Sequence, residues 1–87
     1  MKTIYKYPLE ITYVQTVDLP IDHQILHVDN QGGVMTMWAL VHVGPDVVTY
    51  PKKLMIAGTG NPFPDGRFRH VGSVLIDPFV WHVFEVL

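Results

Sequence analysis

The chain contains no cysteine, which excludes a disulfide framework, a thiol nucleophile and a zinc site built from thiolates. Small secreted domains usually depend on disulfides, so a reducing cytoplasm is the expected compartment. The first ten residues lack the apolar run of a signal peptide, and no segment reaches the roughly 20 apolar residues of a membrane span. We therefore expect a soluble protein without a membrane partner.

Charge is also scarce. Only 16% of the residues are charged, against roughly 25% in average domains, and the formal net charge is −2. Broad binding to duplex nucleic acid depends on clustered positive charge, so the sequence speaks against it. The chain is 48% hydrophobic, which is typical of a packed globule, and its 87 residues allow one domain, 1–87.

A helical period is missing as well, since no segment holds a 3.6-residue apolar repeat over three turns. Seven glycines and seven prolines instead punctuate the chain at strand-and-turn spacing. This pattern predicts an all-β fold, a compact sandwich or barrel-like sheet of about six to eight short strands. One helical turn at 20–24 is an alternative there. The predicted strands are 3–7, 11–17, 24–29, 34–43, the pieces 47–50 and 53–57 on either side of Pro51, 67–76 and 79–86.

The segment from His70 to Leu87 carries apolar side chains on both faces of its predicted strands. A strand with one wet face should alternate apolar and polar residues, so both faces of this one need cover. A chain of this length has few ways to cover a strand twice. The segment is therefore the predicted interface of a homo-oligomer.

Catalytic and metal-binding patterns are absent. Ser73 is the only serine and lies in an apolar strand pattern rather than in a nucleophile elbow. The five histidines form no HxH or HExxH motif, although His23 and His27 are four residues apart and a two-residue turn at Gly32-Gly33 would place His23 opposite His42. We expect no catalysis, no metal and no cofactor.

A glycine- and proline-rich loop at 58–66 is the first candidate site. Its backbone N–H groups could hold a phosphate or carboxylate, and four of the six basic residues lie near it. The alternative is a stiffened turn without a ligand, because the loop matches neither known phosphate-binding motif. The candidate ligand-binding residues of this segment are Lys52, Lys53, Gly58, Thr59, Gly60, Asn61, Arg67 and Arg69.

Aromatic side chains are the second candidate feature. Flat rings stack on nucleobases, and they also concentrate in cores and subunit interfaces. Trp38 and Trp81 lie in the most apolar strands, which favours burial. Tyr5, Tyr7 and Phe63 lie nearer chain breaks and charges and are the candidates for ligand contact, with Phe68 beside them.

Four separated segments resemble a family of small phage and prophage proteins that is known only as a domain of unknown function. The resemblance spans nearly the whole chain, and it implies a phage-related origin and action in the cytoplasm of an infected bacterium. It transfers no catalytic or binding residue. The segments are KTIYKYPL from Lys2, WALV from Trp38, GTGNP from Gly58 and FVWHVFE from Phe79.

This context favours a protein that acts by binding. The leading hypothesis is a non-enzymatic homo-oligomer that counters host defence by sequestering a small anionic, nucleotide-derived signal. Phosphates would meet the basic residues and the loop backbone, and bases would stack on the aromatic rings. The alternatives are an inhibitor that docks on a host protein and a virion or assembly component.

Overall fold

Seven β-strands form the fold, in a computed structural model that describes all 87 residues. The all-β prediction is confirmed, and the alternative of a helical turn at 20–24 is wrong, because residues 21 and 22 form a bend. No helix long and apolar enough to cross a membrane is present. The strands are β1 (Lys2–Pro8), β2 (Val14–Pro20), β3 (His23–Gln31), β4 (Val34–His42), β5 (Thr49–Gly58), β6 (Phe68–Ile76) and β7 (Phe79–Val86).

The strands make two antiparallel sheets that pack face to face. The first sheet has the order β1-β4-β3 and the second has the order β2-β5-β7-β6. Of the two predicted architectures, the sandwich is the one that forms. Apolar side chains at alternate strand positions point to one face of each sheet. The two faces pack together and form the core. The buried core residues are Leu9, Leu19, Val28, Met35, Met37, Leu54, Ile56, Val74 and Val83.

The β3–β4 hairpin confirms the predicted glycine turn. Gly32 and Gly33 have φ values of 59° and 90°, a region that favours glycine. The predicted pairing of His23 with His42 is nevertheless wrong. A register shift between Ile25 and His27 inserts one extra residue into β3, so His23 lies opposite Val41.

Strand β5 continues through Pro51, which corrects the prediction of two interrupted pieces. Proline lacks a backbone N–H and is tolerated where a strand has a free edge. The pairing of β5 with β7 begins only at Leu54, so on that side Pro51 faces no strand and removes no ladder hydrogen bond. On its other side, β5 pairs with β2 from Thr49 to Met55.

Strand β7 is central in its sheet, and its two apolar faces have different partners. Val83 and the half-buried Trp81 face the core, whereas Phe84 points to the outer face. Phe63, from the loop after β5, packs on Phe84 with 5.0 Å between ring centroids. The chain thus covers part of the outer face by itself. Assembly through the segment from His70 to Leu87 stays a prediction.

Candidate functional site

The loop after β5 is held against the start of β7. Thr59 donates its N–H to the Val80 carbonyl (3.2 Å), and Asn61 donates its N–H to the Gly58 carbonyl (3.1 Å). A Cβ on Gly58 would lie 2.7 Å from Asn61 Nδ2 and 3.1 Å from the Trp81 ring. A side chain at 58 would displace the Asn61 amide and press on the Trp81 ring, so glycine suits the close approach of the loop to Trp81. Gly60, with φ of 87°, makes the next turn.

Three phenylalanines form an aromatic cluster where the loop returns over the sheet. Phe63 meets the Phe68 ring edge to face at 5.3 Å and the Phe84 ring at 5.0 Å. The His70 imidazole also lies 5.1 Å from the Phe84 ring. Phe63 is still 51% exposed, so part of its ring is free to stack on a ligand.

A chain of hydrogen bonds crosses the outer face beside this cluster. His70 Nε2 lies 3.1 Å from Ser73 Oγ, which lies 2.7 Å from His82 Nδ1, and His82 Nε2 lies 2.8 Å from Thr59 Oγ1. The Thr59 hydroxyl also reaches the Val80 carbonyl at 3.4 Å. All four contacts are satisfied when donation runs from His70 towards Val80, which gives both histidines the Nε2–H tautomer.

Two pockets flank the loop. We call them the outer pocket, with a volume of about 260 Å³, and the end pocket, with a volume of about 390 Å³. Gly58, Thr59 and Asn61 line both pockets, so the loop forms the wall between them. The outer pocket is completed by Ala57, Gly60, Phe63, His82 and Phe84, and the end pocket by Pro78, Phe79, Val80 and Trp81.

Two of the predicted basic residues, Lys52 and Arg69, lie on the sheet face opposite to that of the outer pocket. Glu85 binds Lys52 (Nζ–Oε1 3.1 Å) and Arg69 (Nη1–Oε2 3.6 Å). Arg69 pairs directly with Glu85 in the sheet and so shares its face, opposite to the face that carries Phe84. The carboxylate offsets the positive charge of both partners. Lys53 and Arg67 are exposed and form no ion pair.

Tyr5 and Tyr7 lie on β1, an edge strand of the other sheet, and line neither pocket. Tyr7 packs against the core, and its pKa is raised above the ordinary value, first by burial and then by the nearby Tyr5. The phenol of Tyr7 is therefore un-ionised at neutral pH. The structure gives these two tyrosines no shared pocket with Phe63.

The histidines do not gather into a metal centre, and no group of three or more potential ligands is arranged to hold a metal ion. His23 and His42 line a separate pocket at the other end of the sandwich, together with Lys2 and Asp22. His27 contacts Asp29 at 3.3 Å on the exposed surface. The Asn30 backbone N–H and then His27 hold the pKa of Asp29 below its usual value.

The structure thus brings together the candidates Gly58, Thr59, Gly60, Asn61 and Phe63 and adds residues that sequence reasoning missed. The added side chains come from β6 and β7, which pair with each other far from the loop in sequence. A period-2 reading of 80–84 would have placed His82 and Phe84 on one face. The missed residues are Ser73, Phe79, Trp81, His82 and Phe84.

Comparison with known proteins adds a family and no function. Neither a curated protein nor a solved structure matches the chain. One family model matches residues 1–87, which is the whole sequence, and its description is that of a domain of unknown function. The chain therefore belongs to the family named DUF7352, a domain of unknown function.

Proposed function

We propose that this protein is a non-enzymatic binding protein that holds a small nucleotide-derived anion beside the loop at 58–61. Its role would be counter-defence by a phage protein in the bacterial cytoplasm, where a homo-oligomer sequesters a signal molecule. The observation that carries the proposal is the outer pocket, in which Phe63 and Phe84 lie beside the Asn61 amide and the Gly60 backbone N–H.

The chemistry of the pocket matches such a ligand. Exposed rings stack on bases with about 1–3 kcal/mol per base. The Gly60 N–H has no partner within the chain and is available to an anion. Asn61 supplies a side-chain amide at the same wall. The cations Lys52, Lys53, Arg67 and Arg69 support the proposal more weakly, since two of them bind Glu85.

Replacing Phe63 with alanine is expected to weaken binding roughly tenfold, because the stacking surface is lost. Native mass spectrometry of the protein purified from phage-infected bacteria should show a small mass that leaves on denaturation, and isothermal titration with AMP and GMP should show the affinity loss. Tyr50→Ala is the matched control, since Tyr50 is 54% exposed and lines a different pocket.

Two outcomes would count against this site. Equal affinity of Phe63→Ala and the unchanged protein would remove the aromatic wall from the binding site. Loss of binding in Arg69→Ala, with the assembly intact, would instead place the phosphate at the basic residues around Glu85.

The native mass spectra also report the number of subunits in the assembly. Exposed Leu75 and Val80, which pair across β6 and β7, are the proposed subunit contact.

An inhibitor of a host protein is the second candidate, favoured by an apolar patch at the other end of the sandwich. Ile21, Val48 and Tyr50 are 70%, 59% and 54% exposed there. We expect Val48→Asp to abolish co-purification of one stoichiometric bacterial protein, because a charge in an apolar contact is costly to bury. Phe63→Ala should leave that partner bound. A partner lost with Phe63→Ala but kept with Val48→Asp would contradict this assignment.

A further inference from the structure

We infer that the ligand has two planar heads joined by a linker of low charge, and that a phosphodiester-linked dinucleotide is the matching class. This inference rests on the proposed function and specifies its ligand. It follows from the way in which the loop at 58–61 divides the outer pocket from the end pocket.

Each pocket has its own aromatic wall. In the outer pocket, Phe63 and Phe84 meet at 5.0 Å with an interplanar angle of 70°. In the end pocket, Phe79 and Trp81 meet at 5.9 Å with an angle of 56°. Phe79 is 60% exposed, so its ring is open to a ligand. Two separate aromatic walls fit two rings better than one.

The pocket volumes agree with this division. Small-molecule sites commonly measure about 300–1,000 Å³, and the outer pocket is slightly below that range while the end pocket is near its lower limit. Each pocket therefore suits one ring system. A molecule with two heads fills both pockets only if its linker crosses the shared wall of Gly58, Thr59 and Asn61.

The shared wall is polar but carries no cation. It offers the Asn61 amide, with the free Gly60 N–H beside it. No lysine or arginine lines either pocket. Only neutral donors are there to hold negative charge, so several negative charges placed together would be unfavourable. A single phosphodiester adds one such charge, whereas a triphosphate chain adds several.

Titration calorimetry on the full chain tests the inference with the paired probes ApA and AMP, GpG and GMP, and with ATP. At least one dinucleotide should bind 10- to 100-fold more tightly than its mononucleotide, because the second head binds at a high effective concentration. ATP should bind no better than AMP. Phe63→Ala and Phe79→Ala should each reduce dinucleotide affinity to the mononucleotide level, and Tyr50→Ala should not.

The outcomes separate the inference from the proposed function. Mononucleotide binding without any gain for the dinucleotides would overturn the two-headed ligand and leave the nucleotide site standing. Absence of binding by every probe would overturn the nucleotide proposal itself. Tight ATP binding would contradict only one part of the inference, the low charge of the linker. Thermal melts of both variants, compared with the unchanged protein, ensure that a loss of affinity is not a loss of fold.

Discussion

Replacing Glu85 with glutamine should lower the free energy of unfolding by about 2–3 kcal/mol, the largest change expected for any single charged residue of this chain. The Glu85 side chain is only 11% exposed, and that of Lys52 is 23% exposed. Both oxygens of the carboxylate are used, one by Lys52 and one by Arg69. Glutamine keeps the shape but leaves Lys52 half-buried without a counter-charge.

Urea denaturation of the variant and of the unchanged protein measures this loss. The double variant Glu85→Leu with Lys52→Met should recover most of it, because replacing both members of a buried pair with apolar groups is often neutral. Asp29→Asn is the matched control at the exposed His27–Asp29 pair and should leave the midpoint nearly unchanged. A negligible effect of Glu85→Gln would show that Lys52 is stabilised by solvent instead.

The strands of this fold are predictable from sequence because their signals are local. Gly32 and Gly33 mark a hairpin by their backbone freedom alone, and the apolar run from Val34 predicts the buried strand β4. Pro51 misled the prediction because its effect depends on which strand lies beside it. That information is carried by the pairing of β5 with β7, not by neighbouring residues.

The sequence did not predict on which face of the sheet each side chain of the candidate site lies. Lys52 and Arg69 lie near the glycine loop in sequence, yet both turn to the inner face and bind Glu85. Along β5, Lys52 is six residues from Gly58, which is about 20 Å at strand rise. Closeness along the chain therefore overstated closeness in space. Phe63 and Phe84 are the reverse case, because they are far apart in sequence and in contact in space. The returning loop brings their rings together.

The spacing between the two sheets leads to the second large effect. Gly72 lies in β6 at a register shift, and a Cβ built on it would stand 2.7 Å from Val28 Cγ2. Val28 is 3% exposed and belongs to the core on the opposite sheet. A β-branched side chain in a packed core has little freedom to turn away. We therefore expect Gly72→Ala to cost about 1–3 kcal/mol of folding free energy.

Val28→Ala distinguishes this contact from a general intolerance of substitution. Alone it should cost about 2 kcal/mol, because it opens a cavity. In the double variant the new methyl group enters that cavity, so the combined loss in urea denaturation should fall below the sum by about 1 kcal/mol. Gly33→Ala is the contrasting control, since Gly33 has open space but a φ of 90°, and Val28→Ala should not rescue it. Strict additivity for Gly72→Ala and Val28→Ala would mean that β3 and β6 adjust their separation freely, and that this glycine does not set how closely the sheets approach.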